Sequence, residues 1–198
     1  MTDLYRTIIA PSEASVTDKR SRFMAFAYPV ASVDEVKIHL AELQKKYFDA
    51  RHICWAYMLG PKRSEFRAND NGEPSGTAGK PILGQINSFD LTDIMIAVVR
   101  YFGGIKLGTS GLIAAYRQAA REAIEEAVIV ERHEMRIVSF TYPYMVMNDV
   151  MKLAHSDGCE AVDSTFDNLC SMTLRIEAAK EQSLRSRLGD IDGVQFQE

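Results

Sequence analysis

Residues 94–112, IMIAVVRYFGGIKLGTSGL, decide more of the fold than any other stretch of the chain. Residues 94–102 are largely apolar on both faces, a pattern typical of the central strand of a sheet. Glycines follow at positions 103, 104, 108 and 111, and an amphipathic helix is predicted from about residue 109 to residue 127. A strand, a glycine-rich turn and a helix N-terminus gather free N–H groups and the positive end of a helix dipole, an arrangement that favours an anion.

Phosphate, either free or in nucleic acid, is the anion that this loop is expected to bind. The loop lacks the G-K-[ST] ending of a Walker loop, and its Leu-Gly-Thr-Ser-Gly end looks more like the phosphate loop of small-metabolite kinases related to galactokinase. Arg100 and Lys106 would add positive charge to the site. The alternative is a tight turn in which Thr109 only caps the helix. The candidate binding residues here are Arg100, Gly103, Gly104, Lys106, Gly108, Thr109 and Ser110.

Another glycine-rich loop, RANDNGEPSGTAGKP, occupies residues 67–81 and carries few apolar side chains. Because it comes earlier in the chain, it is called the first loop, and residues 103–111 are called the second loop. A polar connector of this length is either disordered or held in shape to present its backbone. We expect it to lie beside the second loop, at the same end of the sheet, and to complete one anion site. Its candidate binding residues are Arg67, Glu73, Ser75, Thr77 and Lys80.

Several side chains near these loops allow other interpretations. Asp70 and Glu73 would hold Mg²⁺ beside a phosphate, or they would satisfy backbone donors in turns. Thr77 is placed to cap a short helix that follows it. His52 and Cys54 lie on one face of a predicted strand, where they are either a nucleophile and its base or ordinary buried residues.

The composition limits the classes of protein to which the chain can belong. The chain has 198 residues, a net charge of −4 and 46% hydrophobic residues, which is ordinary for a globular protein. Residues 51–121, around the two loops, carry 9 basic and 5 acidic side chains, whereas residues 133–198 carry 6 and 11. No stretch reaches the roughly 18 apolar residues of a membrane helix, and no secretory signal is recognisable. Three cysteines without a zinc-binding spacing favour a reducing cytoplasm, and no metal or other cofactor is expected.

Two domains are predicted, residues 1–132 and residues 133–198. After residue 132 the strand pattern restarts and the charge changes sign. The second region has the predicted order βαββαβ, which is the ferredoxin-like split βαβ unit. The predicted fold class is therefore α+β, with each domain an α/β sandwich.

Three segments of the chain closely resemble the Impact family, and its bacterial YigZ-like branch in particular. They are HICWAY at residues 52–57, RANDNGEPSGTAGKPI at residues 67–82 and VVRYFGGIKLGTSGL at residues 98–112. The family commonly has Ser-Asp-Asp-Gly-Glu-Pro in the first loop. Here Asn71 takes the place of the second aspartate, which weakens a paired-carboxylate metal site.

The resemblance implies a fold for each domain and a class of function. Residues 1–132 would be related to the second domain of a small-subunit ribosomal protein and to domain IV of elongation factor G. Residues 133–198 would be similar to the last domain of that factor. Eukaryotic relatives are implicated in translational control, and no established enzymatic activity comes with the bacterial branch.

The expected function is that of a cytoplasmic nucleic-acid- or ribosome-associated binding protein linked to the regulation of translation. RNA, the ribosome or another phosphate-containing ligand is the expected partner, and the oligomeric state is left open. Two alternatives stand beside it: an enzyme that transfers or hydrolyses a phosphoryl group on a small ligand, and a protein-interaction module.

Overall fold

The computed structural model describes residues 4–155 and 158–197 and has a mixed α+β architecture. The chain divides into two compact units, and the boundary falls between Arg132 and His133. The first unit covers Tyr5–Arg132, and nearly all of the second lies after that boundary. Each unit has its own sheet and its own hydrophobic core.

The first unit contains seven strands and three helices within the described residues. They are β1 Leu4–Ile8, β2 Ser12–Asp18, β3 Ser21–Pro29, α1 Val33–Lys46, β4 His52–Leu59, β5 Glu65–Asn69, α2 Gly79–Ser88, β6 Ile94–Tyr101, α3 Gly108–Glu125 and β7 Ile129–His133. Strands β2 to β6 form an antiparallel sheet in the order β2-β3-β6-β4-β5, while β1 pairs with β7. The prediction that residues 94–102 supply the central strand is confirmed, because β6 is the middle strand of the five.

Strand β6 separates two cores because its side chains alternate between the faces of the sheet. Ile94, Ile96 and Val98 pack in the core under α2 and α3. Met95 and Val99 pack in the core on the other face, with residues of α1. Both faces of β6 are covered, as its nearly continuous apolar sequence indicates. The same alternation places Arg100, which follows Val98 on the first face, at the edge of the core under α3.

Ser32 caps the N-terminus of helix α1. The Ser32 side chain accepts a hydrogen bond from the Glu35 N–H at 3.3 Å, and the Glu35 carboxylate accepts one from the Ala31 N–H at 2.8 Å. This is a capping box displaced by one residue, since the usual form bonds the carboxylate to the N–H of the capping residue itself.

The second unit has the element order βαββαβ. Its described elements are β8 Met135–Pro143, α4 Met147–Ala154, β9 Glu160–Thr165, β10 Leu169–Glu177, α5 Ala178–Gly189 and β11 Gln195–Phe196. The four strands form an antiparallel sheet in the order β11-β8-β10-β9. The core lies on one face of that sheet, where alternate residues of β8 and β10 meet both helices. The predicted element order of this region is confirmed.

Candidate nucleic-acid interface

The two glycine-rich loops of the first unit border one cavity of about 790 Å³. Glu73 and Pro74 reach it from the first loop, and Lys106, Gly108 and Thr109 reach it from the second. The loops are therefore neighbours in space although a helix and the central strand separate them in sequence. The other lining residues are Asp49, Arg51, His52, Arg100, Tyr101, Phe102, Leu107 and Leu112.

The N-terminus of α3 forms part of the cavity wall. The helix begins at Gly108, with Leu107 at the N-cap position, and no side chain caps it. Gly108 has a φ of +75°, a left-handed conformation that favours glycine. The interpretation of Thr109 as the cap is therefore wrong. Among the described residues, no side chain accepts a hydrogen bond from the first-turn N–H groups of α3, and these groups carry the positive end of the helix dipole to the cavity.

Arg100 lies at the floor of the cavity as half of a buried ion pair. Its Nη1 donates a hydrogen bond to Glu73 Oε1 at 2.6 Å, and the two side chains are 8% and 3% exposed. Tyr116 Oη donates to the same carboxylate oxygen at 2.8 Å. Glu73 thus neutralises Arg100 at the floor of the cavity.

The Arg100 guanidinium is also held by aromatic rings. It lies 5.5 Å from the ring centre of Phe23 and 5.7 Å from that of Phe102. Its Nε is buried and has no hydrogen-bond partner among the described residues. The floor of the cavity therefore contains a fixed, neutralised ion pair with one unused donor, and an unused buried donor costs about 1–3 kcal/mol.

Cys54 and His52 hold the first loop in place. The Cys54 thiol donates to the carbonyl oxygen of Asp70 at 2.9 Å, and His52 Nδ1 lies 2.9 Å from the carbonyl oxygen of Asn71. Burial raises the pKa of the Cys54 thiol to about 12, and burial likewise raises the pKa of Tyr116. A thiol with that pKa supplies almost no thiolate at neutral pH, so Cys54 is not an activated nucleophile.

Asp70 caps α2 from within the first loop. Its carboxylate accepts hydrogen bonds from the N–H groups of Gly76, Ala78 and Gly79, at 2.7–3.0 Å. Burial by itself would raise the pKa of Asp70, but the three N–H donors, together with the positive charge of Lys80, outweigh it and leave that pKa below its ordinary value. The prediction that Thr77 caps this helix is wrong, because the Thr77 hydroxyl donates to the Pro74 carbonyl oxygen instead.

The rim of the cavity supplies its available charge. Arg51 and Lys106 are exposed, and neither forms an ion pair with any residue in the described part of the chain. Asp49 accepts a hydrogen bond from Tyr101 Oη at 2.6 Å. Phe102 is 55% exposed and lies beside these groups. Cations and an aromatic face therefore surround the uncapped helix end.

Arg51 and Phe102 were absent from the sequence-predicted site. The sequence could have indicated both residues, because each directly adjoins a strand that ends at the cavity. His52 pairs with Arg100 in the register of β4 and β6, which places Arg51 just beyond Arg100. Phe102 directly follows β6.

The remaining predicted residues do not line this cavity. Arg67 is exposed on β5, Ser75 and Ser110 are exposed, and Thr77 is buried. Gly103 packs closely against the backbone of Arg20 and Ser21, and its N–H donates to Ser21 Oγ at 3.2 Å. Gly104 is exposed in the turn, with a φ of +88°, and Lys80 lies in a separate groove.

In residues 4–155 and 158–197, no group of three or more His, Cys, Asp or Glu side chains is placed to hold a metal ion. No helix in the same ranges has the length and apolar character needed to span a membrane.

Fold and cavity together define an α+β protein of two units, the first of which presents an uncapped helix end among cationic and aromatic side chains. Residues 19–124 match the Impact N-terminal domain family. The IMPACT family member YvyE of Bacillus subtilis is 38% identical over 140 residues, which cover 71% of this chain and 64% of that protein. The chain thus spans just under two thirds of that relative. It belongs to the Impact family.

Two further comparisons extend over more of the chain. An IMPACT family member of Thermus thermophilus is 35% identical over 82% of this chain and 88% of its own length. The crystal structure of a hypothetical protein matches with a TM-score of 0.78 and 26% identity, over 99% of this chain and 97% of that one. The similarity to known proteins thus includes both units.

Proposed function

We propose that this protein is a cytoplasmic RNA-binding protein linked to the regulation of translation, which contacts RNA, alone or on the ribosome, through the cavity of its first unit. One observation carries the proposal. The cavity brings the uncapped N-terminus of α3 together with Arg51 and Lys106, which have no acidic partner among the described residues.

Phosphodiester groups match the chemistry of this cavity. Their oxygens accept hydrogen bonds from the first-turn N–H groups of α3, and their charge is complementary to Arg51, Lys106 and the helix dipole. Phe102 and Tyr101 add aromatic surface at the rim. Because single-stranded RNA exposes its bases for stacking on aromatic side chains, a single strand suits this rim better than a duplex.

Family membership supports the link to translation, since the resemblance places eukaryotic relatives in translational control. The strand order of the second unit suits the ferredoxin-like fold, and we assign to it the role of docking or orienting the protein. Its acidic composition, 6 basic against 11 acidic side chains in residues 133–198, makes it a poor binder of phosphate.

The side chains that the enzyme hypothesis would use for catalysis already form structural hydrogen bonds. Cys54, Asp70 and Glu73 each hold the first loop or the floor of the cavity. The interaction-module hypothesis makes a different prediction, namely that an acidic peptide such as polyglutamate binds at this cavity as tightly as RNA does.

Lys106→Glu is expected to weaken the binding of a single-stranded oligouridylate at least about tenfold, measured by fluorescence anisotropy at fixed salt. A charge-assisted hydrogen bond contributes about 1.5–3 kcal/mol, and a tenfold change in affinity corresponds to about 1.4 kcal/mol. Lys106 is exposed in a loop, so the fold should be unaffected.

The matched control is Lys45→Glu, which makes the same charge change on the exposed surface of α1 and should alter affinity less than about twofold. An equal effect of both substitutions, or none in either, would contradict binding at this cavity. Polyglutamate that displaces the oligouridylate at equal concentration would favour an interaction module.

A further inference from the structure

A second groove in the first unit lies between α2 and α3 and has a volume of about 500 Å³. Lys80 and Gln85 of α2 line one side of it, and Ile113 and Arg117 of α3 line the other. A Cβ on Gly84 would meet nothing within 4 Å, so this part of the groove is open.

The groove continues the first cavity along α3. Thr109 lines the first cavity, and Ile113 and Arg117 follow it at intervals of one helical turn, on the same stripe of the helix. The first loop also borders both depressions, because Pro74 lines the cavity and Gly76 lines the groove. The two depressions are therefore consecutive, with α3 as their common wall.

The charge of the groove is entirely positive. Lys80 and Arg117 are exposed there, no carboxylate lines the groove, and neither cation has an ion-pair partner in residues 4–155 and 158–197. The next arginine on α3 differs, since Arg121 donates to Glu125 at 2.7 Å. Asp70 interacts electrostatically with Lys80 but forms no ion pair with it in the described residues, and its carboxylate already accepts hydrogen bonds from three N–H groups of its own loop.

We propose that this groove is the second half of a binding track for single-stranded RNA, an inference that rests on the proposed function. Lys80 and Arg117 contact phosphates downstream of the one at the α3 N-terminus, Gln85 offers an amide, and Ile113 contacts a ribose or base. Thr109 and Arg117 lie about 12 Å apart along the helix axis. A stacked strand rises about 3.4 Å per nucleotide, so the two groups are about three to four phosphates apart.

The track predicts that binding depends on RNA length. The double variant Lys80→Gln/Arg117→Gln should bind an oligouridylate of about eight nucleotides at least tenfold more weakly than the wild type. Its plot of log affinity against log salt should be less steep by about 1.4, because each lost phosphate contact on a single strand removes about 0.7. Binding of a two-nucleotide oligouridylate should be unchanged within about twofold, since a strand of that length is expected to fill the first cavity only.

The control double variant Lys45→Gln/Lys62→Gln removes the same charge from exposed positions outside both depressions. Equal weakening in the two double variants, or an unchanged affinity of Lys80→Gln/Arg117→Gln for the longer strand, would overturn the track. If Lys106→Glu still weakened both RNAs in that case, the proposed function would stand. A wild-type protein that bound neither RNA would overturn the proposed function and the track together.

Discussion

Glu73→Ala is expected to lower the free energy of unfolding by about 3–5 kcal/mol, as is typical when one partner of a buried ion pair is removed. The substitution would leave the Arg100 guanidinium, 8% exposed, without its carboxylate, and would also take the acceptor from Tyr116 Oη. Urea denaturation followed by circular dichroism measures the change, with the midpoint expected to fall at an unaltered slope.

The double variant Glu73→Ala/Arg100→Met distinguishes the cost of an unpaired buried charge from the cost of lost packing. Replacing both charges by apolar groups removes the uncompensated cation, so the double variant should be more stable than Glu73→Ala alone. A loss of less than about 1 kcal/mol in the single variant would show that water reaches the pair, and would refute its role as the fixed floor of the cavity.

Gly103→Ala is the second substitution with a large expected effect, and it should lower the free energy of unfolding by about 3 kcal/mol. A Cβ at this position would lie 2.0 Å from the carbonyl carbon of Arg20 and 2.4 Å from the N atom of Ser21. These are backbone atoms, which cannot rotate away, so the loop at Gly103 must move away from the turn between β2 and β3 at the cost of overpacking strain. Thermal and urea unfolding should both detect the loss.

Gly84→Ala provides the comparison for Gly103→Ala. Gly84 lies inside α2, and its added Cβ would meet nothing within 4 Å. Alanine is favoured over glycine in a helix interior by up to about 1 kcal/mol, so this variant should be as stable as the wild type or more stable. Equal destabilisation by the two substitutions would disprove the close approach at Gly103.

The sequence predicts the central strand and its helix well because local patterns determine them. β6 is apolar on both faces, and α3 has a long amphipathic stripe, so each is recognisable without knowledge of its neighbours. The element order of the second unit follows for the same reason. Its alternating strands and short helices carry the periodicities that distinguish the two kinds of element.

The caps and the ion pair are not predictable in this way because they depend on contacts that are distant in sequence. Thr77 has the residue type of a helix cap, yet Asp70 reaches the first turn of α2 because Cys54 anchors the loop between them. Arg100 has the positive charge expected of a residue that binds an anion, but the strand register turns it inward to Glu73. Nothing in either local sequence signals these partners.

The central claim, that RNA phosphate binds at the uncapped N-terminus of α3, is tested most directly by a titration followed with proton–nitrogen correlation spectra. Oligouridylate added to labelled protein should move the amide resonances of Gly108, Thr109, Ser110 and Gly111 most, because a phosphate accepts hydrogen bonds from the first-turn N–H groups. The shifts should saturate together and shrink as salt is raised. Unmoved resonances at these four positions while others shift, or no binding at all, would contradict the account.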